Sequence, residues 1–497
     1  MDLADLSSYK DLSLSYFGSF TDMFSYTPEE FASSFEWLKN ILEDYLMQLR
    51  QSDEVVTYLN AGELEEQSDL NLTEDRPGMQ AVKKSIEQYL KYSVKTAHPR
   101  FMNQLFSNGL LPSLLGEVVT SVLNTSMATY EIAPMASLME KKLVEHMSDL
   151  IGYENGEGIM LTGGSNANMV SLLAARNTFF PDSKQIGNPQ NLVAFCANEA
   201  HYSYDKAMNM LGLGMDRLIK VECDESGALV AHDLEKNIIE AKDRGFKPFY
   251  VGATAGTTVK GAMDSFEEIS KICQRHSLWF HIDGAWGGSL LLSSKSGELL
   301  KGSSLSDSFA WDPHKLMNVP LIASFIFMKN KGTLHFSHSG GGGNQYIFHD
   351  YENAAYDTGP ESLQCGRRVD SLKVWLNWKF LGDKGYQKLM DHYLELAQYC
   401  ENLISKSSRF ELVYPVSSVN VCFQVVPVKK EIGRSQLNHK LRKNLVKEAK
   451  FLVNFSWRKN SYAEPEPFFR LIFNNPRTEK TDLDAFFKRL LELEEIL

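Results

Sequence analysis

An aspartate and a lysine, each set in a distinctive local sequence, are the residues of this chain best suited to chemistry. Asp283 closes Trp279-Phe280-His281-Ile282-Asp283, an apolar, strand-like run that passes into the small residues Gly284, Ala285, Gly287 and Gly288. Lys315 follows Trp311-Asp312-Pro313-His314, in which the proline marks a turn. A lysine amine can form a Schiff base, and a carboxylate can keep a pyridine nitrogen protonated; pyridoxal phosphate requires both. Lys315 is therefore read as the Schiff-base lysine and Asp283 as the pyridinium partner. The same two positions also fit a turn-capping aspartate and a surface lysine. His281 and Asp283 share a strand face, but no third ligand stands at a suitable spacing, so no metal site is expected.

Positioning such a pair takes a sheet. From Ile159 onward strand-like and helix-like runs alternate, which predicts an α/β fold with a mostly parallel central sheet and helices on both faces. Expected strands lie at 158–162, 192–196, 249–253 and 322–328. Gly163 to Asn168 reads as a tight turn into a helix at 169–176, whose amides and macrodipole attract a phosphate. Gly164 and Ser165 are the expected phosphate ligands, with Asn168 a further one, although Gly-Gly-Ser before a helix is also an ordinary N-cap. Thr258, past the 249–253 strand, either hydrogen-bonds near the cofactor ring or simply ends a Thr-rich strand. Arg470 sits alone in the apolar run Phe468-Phe469-Arg470-Leu471-Ile472-Phe473. A buried guanidinium needs a partner, and a carboxylate is the one it prefers, whether from a substrate or from a structural salt bridge.

Toward the N-terminus, Thr27-Pro28-Glu29-Glu30 is a capping box, followed by Phe31, Phe35, Leu38, Leu42 and Leu46 at helical spacing. A polar stretch ends in the turn Arg76-Pro77-Gly78. The expected organisation is an N-terminal helical segment at 1–97, a large domain at 98–380 and a small C-terminal α+β domain at 381–497. Four glycines at 340–343 predict a mobile loop without the spacing of a P-loop. Arg367 and Arg368 at a helix start read as salt-bridge partners rather than substrate ligands.

Composition excludes several classes. With 497 residues, 43% hydrophobic and 23% charged, the chain is an ordinary globular protein with room for a large core. A net charge of −12 argues against nucleic acid or an anionic membrane as the main partner. Neither a membrane-spanning run nor a basic leader is evident, and six scattered cysteines without a C-x-x-C pair fit a reducing compartment; a cytoplasmic location is expected.

Several segments together resemble the group II pyridoxal-phosphate-dependent amino-acid decarboxylases, and within them the glutamate and cysteine-sulfinate decarboxylases. They are His-Pro-Arg-Phe-Met-Asn-Gln-Leu at 98–105, Thr-Tyr-Glu-Ile-Ala-Pro at 129–134, Ala-Thr-Ala-Gly-Thr-Thr at 253–258, the Asp283 strand, Pro313-His314-Lys315, Tyr-Asp-Thr-Gly at 356–359, Gln-Cys-Gly-Arg-Arg-Val-Asp at 364–370 and Phe468-Phe469-Arg470. The resemblance implies the aspartate-aminotransferase-like fold type I of pyridoxal-phosphate enzymes. It also implies decarboxylation of a small acidic L-amino acid (glutamate, aspartate or cysteine sulfinate) to the primary amine and carbon dioxide. By resemblance His201 stacks on the cofactor ring, Ala285 presses on the opposite face, His314 helps anchor the phosphate, and Tyr346 donates the proton after decarboxylation. Gln104 lies beside the substrate carboxylate, and Arg470 binds it.

Phe106, aromatic as in the cysteine-sulfinate enzymes, favours a shorter substrate. Ala128 stands where both groups usually carry a ring, and Asp312 where many relatives have asparagine. A homodimer with active sites near its interface is implied as well. Other pyridoxal-phosphate chemistry on the same fold, or an idle protein-binding relative, remain the alternatives.

Overall fold

The computed structural model describes residues 25–72, 74, 77–340, 346–428, 432–460 and 463–497. The chain divides into two compact units, Met1–Lys95 and Thr96–Leu497. In the first, the helix Pro28–Gln51 starts as its sequence predicts. The Thr27 hydroxyl accepts from Glu30 N at 3.1 Å while Glu30 Oε2 accepts from Thr27 N at 2.9 Å. This reciprocal pair satisfies two amides that the start of a helix leaves open. Gly78, at φ 74°, precedes the helix Met79–Tyr92, a backbone that suits glycine; Arg76 of the expected turn lies outside the described residues.

The second unit contains β1 (Phe101–Met102), β2 (Glu157–Leu161), β3 (Leu192–Ala197), β4 (Leu218–Val221), β5 (Lys247–Thr254), β6 (Trp279–Gly284), β7 (Ser308–Trp311), β8 (Ser324–Met328), β9 (Phe410–Leu412), β10 (Asn420–Val425), β11 (Leu452–Asn460) and β12 (Ala463–Ile472). Seven of these form one sheet in the order β2-β8-β7-β6-β5-β3-β4. β8 alone runs against its neighbours β2 and β7, and the other pairings are parallel. Every residue of β3 and of β6 is buried, as expected where both faces of a sheet are covered. Alternate residues prove the point: Val193, Phe195, Val251, Phe280 and Ile282 join one core, whereas Ala194, Cys196, Tyr250 and Trp279 join the core of the opposite face. The fold is thus the expected α/β type with a mostly parallel central sheet.

A second, five-stranded sheet runs β1-β11-β12-β10-β9. Its β1 pairs in parallel with β11 through Phe101 and Leu452, bringing the segment after residue 98 beside the C-terminal strands. Arg470 on β12 lies opposite Cys422 on β10 and Asn454 on β11. Linking the sheets, the helix Ser371–Ser405 breaks at Gly382, with φ 58° and ψ 179°. The sequence predicts one helix ending at Phe380 and another starting near residue 386, and the structure shows why the ladder breaks between them: Gly382 adopts a positive φ that glycine tolerates. No helix among the described residues is long and apolar enough to cross a membrane.

Candidate active site

Parallel strands leave their carboxyl ends along one edge, and in an open α/β sheet that edge is where ligands bind. Here β2 runs into Gly163 and Gly164, β3 into His201, β5 into Thr258, β6 into Ala285 and β7 into Asp312, His314 and Lys315. The helix Gly164–Phe179 begins five residues earlier than its composition predicts, directly after β2, and no side chain caps its start. Its first amides therefore lack the usual partner and remain available to an anion. Gly164 is closely confined. A methyl group there would stand 2.8 Å from Asp312 Oδ2 and 2.9 Å from Ala285 Cβ, so the helix start, Ala285 and Asp312 meet at one point. A cradle this narrow, with backbone donors at its base and a lysine at its rim, fits a phosphorylated aldehyde cofactor.

Lys315 is one-fifth exposed, with Nζ 3.2 Å from Asp312 Oδ2. Asp312, nearly fully buried, also accepts from the Ser324 hydroxyl and faces His314 Nε2 at 3.6 Å. The other edge of His314 is held by Ala323, with Nδ1 2.6 Å from the carbonyl oxygen, and burial lowers its pKa. The sequence marks Asp312 only by resemblance, as a position where many relatives have asparagine, and its contact with Lys315 emerges from the folded turn. His201 lies within the fields of Asp283, Lys315 and Asp312, and burial, the largest influence, lowers its pKa. Its Nδ1 accepts from Ser203 N at 3.3 Å.

Asp283 is 5% exposed. Its Oδ1 accepts from Ala285 N at 3.1 Å and its Oδ2 from Asn168 Nδ2 at 2.8 Å. Asn168 is therefore not a phosphate ligand: with the helix starting at Gly164, it falls a full turn inside and is buried against Asp283. Gly, Ser and Asn have low helix propensity, but packing extends the helix back to Gly164 all the same.

Arg470 is 6% exposed. Its Nη1 donates to Thr258 O at 2.7 Å and its Nη2 to Asn103 O at 3.1 Å, and its Nε has no acceptor. Among the described residues no carboxylate lies within salt-bridge distance of it. Burial lowers its pKa, the direction expected when no anion compensates. Thr258 thus supports Arg470 through its carbonyl, and Asn103 places Gln104 next in the chain. Gln104 Nε2 donates to Asn103 Oδ1 at 2.9 Å, and its carbonyl accepts from Asn474. The neighbouring Phe106 is partly buried and leans on Phe101, with ring centroids 6.4 Å apart.

The arginine pair at 367 and 368 is neutralised. Arg367 Nη1 lies 2.8 Å from both oxygens of buried Glu140, and Arg368 pairs with Glu117 and Asp370, as their position at a helix start predicts. Both nitrogens of His281 are engaged by Ser308 and Asn168, leaving neither for a metal. The side chains of Ser165 and Tyr346 are not brought into this cluster: Ser165 is exposed on the first turn of its helix and offers only its backbone amide, and Tyr346 is 77% exposed. Gly341 to Gly343 of the expected loop fall outside the described residues. Beyond that loop, a methyl group on Gly359 would run into the Phe348 ring and stand 3.0 Å from Ala128 O, so an aromatic side chain from another segment packs near Ala128.

Comparison with known proteins bears on this arrangement. Residues 62–426 match the pyridoxal-dependent decarboxylase conserved domain. The cysteine sulfinic acid decarboxylase of Mus musculus is 39% identical over 453 residues, covering 88% of this chain and 91% of that protein. The Homo sapiens counterpart is also 39% identical, covering 89% and 91%. Among solved structures, mouse CSAD superposes with a TM-score of 0.85 at 37% identity, covering 91% of this chain and 98% of that one. Oryza sativa TDC with PLP and tryptamine reaches 0.86 at 20% identity, covering 95% and 99%, a likeness of fold alone.

Proposed function

The chain belongs to the pyridoxal-dependent decarboxylases, and from that premise we propose that it removes the α-carboxyl group of a short acidic L-amino acid of the cysteine sulfinate or aspartate type. The family decarboxylates amino acids with pyridoxal 5'-phosphate, which supplies the electron sink for the departing carbon dioxide. The observation that carries the substrate reading is Arg470, a buried guanidinium held by two backbone carbonyls with no side-chain anion. Such a group costs stability unless a ligand completes it, and an α-carboxylate fits its fork bidentately. Phe106, half-buried beside Gln104, is a bulky group on the same segment and is in keeping with a short side chain. The resemblance to the cysteine sulfinic acid decarboxylases supports the same size class.

In this reading Lys315 would hold the cofactor through its ε-amine. Asp283 keeps a proton on the ring nitrogen. His201 and Ala285 would flank the cofactor ring, and the backbone amides of Gly164 and Ser165 with His314 would receive its phosphate. Arg470 and Gln104 would bind and orient the substrate carboxylate. Tyr346 returns the proton, which requires it to be drawn in from its exposed position.

A homodimer accompanies this reading. Leu111, Leu114, Leu115, Val118, Val119, Val122 and Leu123 form an exposed apolar face on the helix Leu111–Leu123, larger than a monomer ordinarily leaves in water. The six unpaired cysteines support a reducing compartment such as the cytoplasm.

A competition assay tests the substrate. Protein loaded with pyridoxal phosphate receives glutamate, aspartate and cysteine sulfinate together, and the amines are quantified. Hypotaurine or β-alanine is expected to dominate; dominant γ-aminobutyrate, or no amine from a fully loaded protein, overturns the short-acid reading.

A further inference from the structure

Asp283 ends a hydrogen-bonded chain that runs through the sheet interior and that none of the roles above employs. Asn168 Nδ2, besides its 2.8 Å bond to Asp283, donates to Ser203 Oγ at 2.9 Å. Asn168 Oδ1 is 3.0 Å from His281 Nε2, and His281 Nδ1 is 2.9 Å from Ser308 Oγ. Ser308 Oγ accepts the Trp279 indole N–H at 2.8 Å and lies 2.9 Å from Ser171 Oγ, which is 3.0 Å from the Tyr250 hydroxyl. Asn168, Ser171, Tyr250, His281 and Ser308 are all buried, so none can exchange a missing partner for bulk water.

Donor and acceptor rules fix the direction of this chain. An amide nitrogen only donates and an amide oxygen only accepts. With Nδ2 committed to the Asp283 carboxylate, Oδ1 faces His281, and His281 Nε2 must carry its proton. Reversing the amide would set its oxygen against Asp283 Oδ2, two acceptors at contact. Burial pushes His281 down to about 4, so the ring is neutral and Nδ1 is bare. It therefore takes the Ser308 proton, and Ser308 in turn accepts from Trp279 and Ser171. The register reinforces the chain: His281 lies opposite Ser308 in adjacent parallel strands, and His281 shares its strand face with Asp283. At the far end both carboxylate oxygens of Asp283 receive N–H donors, one from Asn168 and one from the Ala285 backbone, which cannot rotate away.

We infer that Asn168 and His281 are positioning residues for the cofactor. Together with Ser308 they hold Asp283 in one rotamer as an acceptor-only group aimed at the cofactor ring nitrogen. The inference rests on the reading of Asp283 as the partner of that nitrogen. Asn168 and His281 are fully buried and act through Asp283, Asn168 also bracing Ser203. A buried polar chain with every member satisfied favours a single arrangement, and a single arrangement is what a ring-nitrogen partner needs.

The test measures affinity of the apoprotein for pyridoxal phosphate, together with the absorption spectrum of the bound cofactor at fixed pH. Asp283→Asn serves as the reference. Asn168→Leu removes all three hydrogen bonds of the amide at similar volume and is expected to weaken cofactor binding about tenfold to a hundredfold, chiefly through the loss of one charge-assisted bond. Its spectrum should shift in the direction of the reference variant. His281→Gln keeps a donor facing Asn168 Oδ1 and should stay within about threefold of the native affinity, whereas His281→Phe should behave as Asn168→Leu.

If Asn168→Leu and His281→Phe lower the melting temperature but leave affinity and spectrum native, the chain is structural only and the inference falls. Should His281→Phe not fold, Asn168→Leu with Asn168→Asp decides the matter. The latter keeps the shape but sets a second carboxylate against Asp283, and native affinity in both overturns the inference. If Asp283→Asn itself leaves affinity and spectrum unchanged, the reading of Asp283 fails, and that outcome is distinct from failure of the positioning role alone.

Discussion

Replacing Arg470 by methionine separates a substrate ligand from a structural arginine. In the native chain the guanidinium is 6% exposed and is satisfied only by the carbonyls of Thr258 and Asn103. A substrate carboxylate would supply the missing counter-charge through charge-assisted bonds, and losing one partner of such a desolvated pair costs about 3–5 kcal/mol. That corresponds to a fall of about 10² to 10³ or more in kcat/KM. Arg470→Lys keeps the charge but loses the fork, and should recover part of the loss. The assay is initial-rate amine formation, with the product amine as a competitive inhibitor. The product retains the side-chain acid but has lost the α-carboxylate, so its affinity should be nearly unchanged in Arg470→Met. A fall in kcat/KM of less than about tenfold refutes the ligand role. Equal losses for substrate and product show that Arg470 reads the side-chain acid instead.

Burial sets further expectations. Because His281 is lowered to about 4 by burial, the unfolded chain binds the extra proton between that value and its ordinary pKa of about 6.5. The corresponding stability is complete above about pH 6.5 and is lost as pH falls through about 4. Urea melts at pH 7.5 and 5 should show the advantage of native protein over His281→Gln shrinking by about 2 kcal/mol, and an unchanged difference would contradict a neutral buried ring. Gly164→Ala places a methyl 2.8 Å from Asp312 Oδ2 and 2.9 Å from Ala285 Cβ. Titration should show cofactor affinity down at least about tenfold with the secondary structure intact, and native affinity would show that the cradle lies elsewhere. Asp312→Asn removes a carboxylate beside the uncapped helix start, where a phosphate would be repelled. Affinity for pyridoxal phosphate should rise by about threefold to tenfold, and weaker binding would show that the carboxylate serves the cofactor directly.

How much of this site can be read from the chain depends on how local each signal is. β6 and the Pro313-His314-Lys315 turn are written in short segments, and they stand where composition puts them. The lone arginine of β12 is legible because an apolar strand does not bury a charge without purpose, and the absence of a nearby carboxylate needed coordinates to establish. Arg367 pairs with Glu140, far away in sequence, and only the type of partner could be foreseen. The helix start at Gly164 was hidden by residues that disfavour helices, and with it the true place of Asn168. β4, β9 and β11 escaped because each draws its stability from neighbours rather than from its own pattern. The exposure of Tyr346 reflects tertiary placement, on which spacing is silent.

The central claim is that a short acidic amino acid loses its α-carboxyl group and gains a solvent proton at the same carbon. Cysteine sulfinate labelled with carbon-13 at C1, incubated with the loaded protein in deuterated water, tests it in one experiment. The account predicts label in carbon dioxide in equal amount to hypotaurine carrying one deuterium at the former α-carbon. Label retained in a keto acid or other organic product, with no labelled carbon dioxide, would contradict it.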